Sequence, residues 1–343
     1  MHTRIIEGNT MSNVHITSAL IELESLIEKI NQREFLIIAA DEKILKQLPS
    51  GNWIAGTIPY FMGQEGGEIS QDKAFVNTIE GLDLNNQPRI MPYDMNSIKN
   101  IAQDAPENGF TITILPAGSD IHAEYAENAP SYDNMFFSPI IGWVAGSHLE
   151  QADAQPQVGF GTANMLMTDK AIAMHVPLSD SQFANINIVN LFEQGCGPKI
   201  TFDETGFSAN DCLIDGKAAK LSEYVQNNNI DTRLPLVADY NGVNINVSIK
   251  EMANNSVNFY APIFKNVQYQ FANPVADYVN ELDKSIASQQ IPENCFSFNC
   301  ILNFLYAELE NKKTAELTGP FTFGEIAYQL LNQTLVYLSI EKA

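Results

Sequence analysis

Hydrophobic and polar positions along this chain predict many short strands and a few amphipathic helices. Residues 185–192 alternate between apolar and polar side chains, which is typical of a half-buried strand. Apolar residues at helical spacing predict one helix over 17–31, with Ser18 as its N-cap, and another from Asn273-Pro274 to about residue 289. Short apolar runs predict further strands at 34–40, 110–117, 137–146, 170–178, 256–263, 296–302 and 334–340.

Turn signals between these runs require antiparallel strand pairs. The dipeptide Asn241-Gly242 separates two apolar stretches and predicts a β-hairpin, whereas the polar stretch 118–135 predicts a loop. Strands and helices do not alternate strictly, as they would in a doubly wound parallel sheet. We therefore predict a mixed α/β (α+β) fold with substantial antiparallel sheet, in two related halves that each form a sheet flanked by helices.

The turn-rich segment 193–210 marks the predicted boundary between the halves. Residues 17–195 form the N-terminal half and residues 196–343 the C-terminal half. Residues 1–16 are predicted to be a flexible extension, and either Met1 or Met11 serves as the native start.

Two segments share the pattern G-x-x-x-x-G-x-I, namely Gly51–Ile58 and Gly319–Ile326. Each follows a predicted strand and a short predicted helix. We interpret the pair as a trace of duplication, in which each half presents a glycine turn to a ligand pocket lined by backbone. The alternative is that two ordinary turns match by accident.

Composition narrows the class of protein. The chain has 343 residues, of which 45% are hydrophobic and 17% charged, and these values favour a folded globular protein over a disordered one. The net charge of −22 repels phosphate backbones and anionic lipid headgroups, so we expect no nucleic-acid or membrane partner. No apolar run approaches the roughly 18 residues that a membrane-spanning helix needs.

The cysteines and histidines, which most often act in catalysis or bind metals, do not form a known catalytic or metal-binding motif in this sequence. The four cysteines form no C-x-x-C pair, which favours a reducing compartment and a cytoplasmic location. His122-Ala-Glu124 matches the H-x-E of zinc deaminases, but the required P-C-x-x-C is missing. Cys300 would need a base such as His175 to act as a nucleophile. We therefore predict no metal, no cofactor and no enzymatic activity.

The C-terminal half resembles the FIST family of sensory domains. Residues 318–327 contain Gly319–Ile326 and are similar to the glycine–glutamate motif of that family. Phe298-Asn299-Cys300 matches the Phe-x-Cys of the preceding family strand, with Leu302-Asn303 in place of the family's Gly-Arg. Residues 215–219 resemble the turn that opens the linking helix, and 234–242 resemble the strand after it.

The N-terminal half resembles the same family less closely. Gly51–Ile58 aligns without gaps on a family motif, and Gly51, Ala55, Gly56 and Ile58 match it. Its polar Cys, Ser, Thr and Glu are replaced, Thr57 standing in the place of the Glu. The resemblance covers about 300 residues and implies a sensory module that binds a small ligand, such as an amino acid.

The resemblance and the glycine pattern together nominate eight ligand-binding residues. Glu325 is the leading candidate, because a carboxylate beside a glycine turn can pair with an ammonium group. The eight candidates are Glu325, Gly324, Thr322, Phe323, Cys300, Asn303, Gly56 and Thr57.

The function implied is a stand-alone sensory protein that binds a small molecule and acts through a signalling partner. Two alternatives stay open at this stage. One is a hydrolase or transferase with Cys300 or Cys196 as its nucleophile, and the other is a scaffold protein without a ligand.

Overall fold

A computed structural model describes residues 13–343, apart from 84, 152, 241, 254, 290, 292, 293, 315 and 316. The helices in this part of the chain are α1 (Leu23–Asn31), α2 (Glu42–Leu45), α3 (Asp120–Asn128), α4 (Leu221–Asn227), α5 (Tyr278–Ala287) and α6 (Ile301–Tyr306). The strands up to residue 189 are β1 (His15–Glu22), β2 (Phe35–Ala40), β3 (Trp53–Thr57), β4 (Tyr60–Gly63), β5 (Gly66–Ile69), β6 (Lys73–Glu80), β7 (Arg89–Tyr93), β8 (Gly109–Pro116), β9 (Ile140–Ala145), β10 (Val158–Phe160), β11 (Met165–Met167), β12 (Ala171–Pro177) and β13 (Gln182–Val189).

The remaining strands follow after residue 199. They are β14 (Ile200–Thr201), β15 (Gly206–Ala209), β16 (Asp211–Ile214), β17 (Lys217–Lys220), β18 (Leu236–Tyr240), β19 (Val243–Val247), β20 (Ile249–Ala253), β21 (Ser256–Ile263), β22 (Tyr269–Phe271), β23 (Cys295–Cys300), β24 (Gly319–Thr322), β25 (Glu325–Ala327), β26 (Gln329–Leu331) and β27 (Leu335–Lys342). Most strand pairs are antiparallel, so the predicted mixed α/β class with substantial antiparallel sheet is confirmed.

Two six-stranded sheets pack face to face between layers of helix. The first has the order β1-β6-β2-β3-β10-β11 and the second the order β26-β25-β9-β8-β12-β7. Successive residues of a strand face opposite sides, so Ile37 of β2 joins Ile112 of β8 in the core between the sheets. Leu36 faces the other way and packs with Leu26 of α1, and Leu115 packs with Ile121 of α3. The result is an α/β/β/α layering.

A third sheet, with the order β13-β27-β23-β24-β4-β5, extends the same core. Phe296 and Phe298 of β23 belong to the cluster that contains Ile37 and Ile112. The opposite face of this sheet is covered by α5, through contacts of Leu282 with the residues of β13 and β27.

The segment 200–271 forms what we call the β lobe. Its sheets have the orders β17-β16-β14-β22-β18-β19 and β15-β21-β20, and its own core includes Phe202, Phe259 and Tyr269. The chain then returns to the layers, where β24 pairs with β4 and β25 pairs with β9. Strands from both sides of the predicted boundary at residue 195 therefore share sheets.

The predicted hairpin at Asn241-Gly242 is present, since β18 and β19 pair with Tyr240 opposite Val243. Asn241 itself lies outside the described residues.

The N-terminal helix begins later than its spacing predicts. His15–Glu22 is a strand that pairs with β6 along its whole length, and the helix starts only at Leu23. Tertiary pairing overrides the local helical pattern here. His15 and Ile16 belong to this strand, whereas residues 1–12 of the predicted extension lie outside the described residues.

Two further predictions of helix limits were wrong. Residues 120–128, predicted to be a loop, form α3 with the Ser119 side chain capping its N-terminus. α5 begins at Tyr278, where Asp277 accepts from the backbone N–H of Asn280. Asn273 is not the cap because its side-chain amide donates to the carbonyl of Gln194 at the entrance to the β lobe.

Candidate ligand-binding site

Most of the C-terminal candidates lie around one strand–helix–strand unit. β23 and β24 are parallel neighbours with Cys300 opposite Thr322, and α6 connects their ends. The side-chain oxygen of Asn299 accepts from the backbone N–H of Cys300 at 2.8 Å and from the amide of Asn303 at 2.9 Å. The carboxyl ends of parallel strands are where α/β proteins place ligands.

Glu325 lies in the interior rather than in an open pocket, with a relative exposure of 0%. Its carboxyl accepts from the Thr334 hydroxyl at 2.8 Å, from the Thr334 N–H at 3.3 Å and from the Thr322 hydroxyl at 3.4 Å. Burial raises the pKa of Glu325 to about 8, because these hydrogen bonds offset only part of the desolvation of its charge. The group is therefore largely protonated at neutral pH.

Cys300 lies beside Glu325 and is equally buried. Burial raises the pKa of the Cys300 thiol well above its usual range, and the neighbouring Glu325 charge raises it further. Backbone N–H groups of Leu302 and Gln333 act in the opposite direction. The thiol is therefore protonated at neutral pH, which is unfavourable for nucleophilic attack.

A cavity of about 380 Å³ opens beside this unit, between the helices α5 and α6 and the β lobe. The buried amides of Asn303 and Gln333 contribute polar groups to its wall. Its lining consists of Phe192, Asp231, Arg233, Leu234, Pro274, Val275, Ala276, Asp277, Tyr278, Val279, Asn303, Tyr306, Ala307, Glu308, Lys312 and Gln333. We call it the junction cavity.

Tyr278 connects the junction cavity to the buried polar groups behind it. The side-chain amides of Asn299 and Asn303 hydrogen-bond its hydroxyl, and Cys300 and Glu325 lie close enough that ionisation of either group would raise its pKa. Burial raises the pKa of Tyr278 above its usual range, so the hydroxyl stays protonated. A ligand against Tyr278 would therefore be one hydrogen-bonded layer away from Glu325.

Gln333 holds the β lobe against the layers at this point. It accepts from the Ser248 hydroxyl at 2.7 Å and donates to the backbone carbonyl of Arg233 at 3.2 Å. The nearby amide of Asn246 donates to the backbone carbonyl of Asn332 at 3.1 Å. Asn246, Ser248, Asn332 and Gln333 are all buried, which makes the contact specific.

The N-terminal candidates contribute to a different place. Thr57 lines a small cavity of about 30 Å³, and its hydroxyl accepts from the Gln157 N–H at 2.8 Å. The ring of Phe323 lies against Gly146, whose N–H donates to the Thr57 carbonyl at 2.8 Å. The two glycine segments thus approach each other at Gly146, but no residue of Gly319–Ile326 lines either of these two cavities.

The glycines of the two segments do not form the turns that the sequence predicts. Gly56 lies within β3, where a Cβ would be 2.8 Å from the indole nitrogen of Trp143. Gly324 lies between β24 and β25, where a Cβ would be 2.9 Å from Leu330. Both glycines permit close packing and neither has a positive φ.

Of the eight nominated residues, Asn303 lines the junction cavity. Thr322, Cys300 and Glu325 form the buried layer behind it. Whether these residues bind a ligand stays a prediction.

His122 and His175 do not line the junction cavity. His175 hydrogen-bonds Thr111 and Tyr93 through its two ring nitrogens, both at 2.8 Å, so neither nitrogen contacts Cys300. Burial lowers the pKa of His175 to about 4. His122 is buried in α3 and packs near the ring of Phe207. Within the residues that the structure describes, no group of three His, Cys, Asp or Glu side chains is placed to hold a metal ion.

Sequence reasoning missed the residues that complete the cavity. Tyr278, Gln333 and Arg233 come from three distant parts of the chain, and no local pattern relates them. The sequence drew attention to one neighbouring residue, Asn299, because it stands between Phe298 and Cys300, which match the Phe-x-Cys of the family strand.

No helix in the described ranges is long and apolar enough to cross a membrane. Comparison with curated proteins finds no match for this chain. A family match extends over residues 21–341, which is nearly the whole chain. The chain therefore belongs to the family described as a family of unknown function, DUF6976.

Proposed function

We propose that this protein is a stand-alone sensory protein that binds a small molecule, an amino acid or a similar metabolite, in the junction cavity. The observation that carries the proposal is the position of that cavity. It lies at the carboxyl end of the β23–α6–β24 unit, between the α/β/β/α layers and the β lobe. Its volume of about 380 Å³ suits a metabolite, and the buried Asn303 and Gln333 offer hydrogen bonds that would orient one.

The position of the cavity also supports a sensory role. Arg233 and Leu234 come from the β lobe, whereas Asn303 and Tyr306 come from the layers. A ligand that touches both sides stabilises one arrangement of the lobe over others by its differential affinity. A signalling partner would read that change, and the resemblance to FIST sensory domains supports the same interpretation.

The chemistry of the cavity wall favours binding over catalysis. The Cys300 thiol is protonated at neutral pH, and both nitrogens of His175 are bonded to other groups. A nucleophile needs an adjacent ionised base or a lowered pKa. The carboxyl beside Cys300, that of Glu325, is largely protonated at neutral pH, and burial raises the pKa of the thiol. The large negative charge disfavours nucleic acid as the partner, and we place the protein in the cytoplasm.

A thermal-shift screen of amino acids and small metabolites tests the proposal. A compound that binds only the folded state adds about 2.7 kcal/mol to the free energy of unfolding at a concentration 100 times its Kd, and the melting temperature rises as a result. Asn303→Leu should abolish the shift, and Arg233→Gln at the exposed rim of the cavity should reduce it without unfolding the protein. Arg33→Gln, an exposed arginine outside the cavity lining, is the matched control and should leave the shift unchanged.

Failure of every compound in the screen would count against the proposed function. A hit that is insensitive to both cavity variants would place the ligand elsewhere and contradict the site.

Cys300→Ala separates binding from cysteine-dependent catalysis. We expect ligand affinity to stay within about twofold of wild type, because the thiol lies behind the cavity wall. Labelling by a thiol reagent should modify the exposed Cys196 quickly and the buried Cys300 only after unfolding. Rapid labelling of Cys300 in the folded protein would favour the hydrolase or transferase alternative.

A further inference from the structure

The junction cavity is lined by more carboxylates than cations, and the carboxylates are less fully paired than the cations. Three carboxylates, those of Asp231, Asp277 and Glu308, line it together with two cations, Arg233 and Lys312. The excess of negative charge matches the chain as a whole, whose net charge of −22 raises the local concentration of cations.

Both cations are already engaged. Arg233 donates to the two carboxylate oxygens of Asp231 at 3.0 and 3.1 Å from Nε and at 2.7 Å from its terminal nitrogen. The ammonium of Lys312 donates to the backbone carbonyl of Ala307 at 2.9 Å. An anionic ligand would have to compete with these bonds.

Two of the carboxylates are not neutralised in this way. Neither Asp277 nor Glu308 forms an ion pair with any residue that the structure describes. Asp277 uses one oxygen to accept from the Asn280 N–H at 3.1 Å, and Glu308 is exposed at the cavity. These two carboxylates are therefore available to pair with a cationic ligand.

The other walls are hydrocarbon and aromatic. Tyr278, Tyr306 and Phe192 contribute rings, and Pro274 and Val275 contribute aliphatic surface. Aromatic faces attract an ammonium group electrostatically, and the aliphatic surface accommodates a hydrocarbon chain. Carboxylates and rings around one cavity are the combination that recognises amines.

We propose that the junction cavity binds a protonated organic amine with a hydrocarbon body, its ammonium group facing Asp277 and Glu308. The amine is defined by its charge and apolar body, so the class includes simple alkyl and arylalkyl amines that lack a carboxylate. This inference rests on the proposed function, because it takes the junction cavity to be the ligand site. It differs from the amine partner that the sequence suggests, since Glu325 lies behind the wall rather than in it.

Calorimetric titration of the full chain with matched probes tests the inference. The probes are cadaverine and tyramine, each paired with the uncharged alcohol of the same skeleton, 1,5-pentanediol and tyrosol. We expect each amine to bind at least about tenfold more tightly than its alcohol, since a hydrogen bond to a charged group contributes about 1.5–3 kcal/mol. Added salt should weaken the amines and leave the alcohols unchanged.

Glu308→Gln should weaken amine binding by about tenfold while leaving the alcohols unaffected. Glu310→Gln is the matched control, because Glu310 is an exposed carboxylate two residues away that does not line the cavity. Equal affinity for amine and alcohol, or equal effects of the two substitutions, would overturn the inference.

The failure of this inference can be distinguished from failure of the proposed function. If a neutral or anionic metabolite binds and Asn303→Leu removes that binding, the junction cavity is the ligand site and the amine class is wrong. If no metabolite and no amine binds, both proposals are overturned.

Discussion

Two strand–helix–strand units carry the repeated glycine pattern, and they differ at the ends of their strands. In the first, β2 and β3 are parallel neighbours joined through α2, and Gly51–Ile58 runs straight through β3 within one sheet. In the second, β23 and β24 are parallel neighbours joined through α6, but the segment Gly319–Ile326 leaves its sheet after Thr322. It then pairs with β9 of another sheet through β25.

The crossing between sheets changes what the last residues of the pattern do. Thr57 and Glu325 occupy the same place in the eight-residue pattern. Thr57 stays at a strand end and bonds Gln157 beside a cavity of about 30 Å³. Glu325 is carried into the core, and the space beside its unit becomes the junction cavity of about 380 Å³. The same eight-residue pattern therefore produces two different local environments, because only the segment Gly319–Ile326 passes from one sheet to another.

The pH dependence of stability is the largest expected difference between the two units. The folded-state pKa of Glu325 is about 8, above its unfolded value of 4.5, so the folded state holds a proton that the unfolded state releases. The stability that protonated Glu325 contributes is fully present below pH 4.5 and is lost progressively as the pH rises to about 8. Between pH 5 and 8 we expect Glu325 to lower the free energy of unfolding by about 3 kcal/mol, and Glu325→Gln to remove that dependence.

Urea unfolding of both proteins across this pH range measures the effect. Thr57→Val is the control, since Thr57 does not titrate, and its pH profile should parallel that of the wild type. A wild-type profile identical in slope to that of Glu325→Gln would show that Glu325 is ionised in the folded protein.

Alanine at the first glycine of each pattern should give the next largest difference. A Cβ at Gly319 collides with the backbone carbonyl of Ser297 in the neighbouring strand, which cannot move without breaking the pairing. A Cβ at Gly51 lies 2.6 Å from the γ-methyl group of Ile30, which is a side-chain contact that a small shift of α1 relieves without breaking a strand pairing. We expect a loss of about 3 kcal/mol for Gly319→Ala and about 1 kcal/mol for Gly51→Ala, measured by urea unfolding at one pH. Losses of equal size would show that the backbone contact at Gly319 is no more restrictive than the side-chain contact at Gly51.

Removal of a single buried hydroxyl should give the smallest effect. Thr57→Val leaves the N–H of Gln157 without its partner, which costs about 1–2 kcal/mol in the free energy of unfolding. Because Thr57 lines a different cavity, ligand affinity should be unchanged in the same protein. A change in affinity would show that the two units form one coupled site.

The strands were predictable where a short apolar run coincided with a buried strand. The runs over 34–40 and 110–117 correspond to β2 and β8, because full burial of both faces leaves little room for polar residues. The run over 256–263 corresponds to β21, in which buried residues alternate with partly exposed ones before the buried end. Helix limits were less predictable. Residues 17–22 were predicted to be helical and belong to strand β1, since pairing with β6 satisfies their backbone groups.

The candidate site was predictable only around Cys300. Phe298 and Cys300 lie in a strand as predicted, whereas Glu325, which was predicted to lie in a glycine turn, begins β25 beside Cys300. Tyr278, Gln333 and Arg233 could not be predicted, because the β lobe and α5 bring them to the cavity from positions up to 100 residues apart.

The amino-acid sequence by itself determined the mixed α/β class, the strong negative charge and the hairpin at Gly242. These properties depend on local pattern and composition, which act within a few residues of each position. The tertiary structure alone decided that Glu325 would be buried and protonated, that Thr57 would remain at a separate small cavity, and that Asn303 would line the junction cavity. These outcomes depend on which strands pair across long separations, and burial follows from that pairing rather than from the residues themselves.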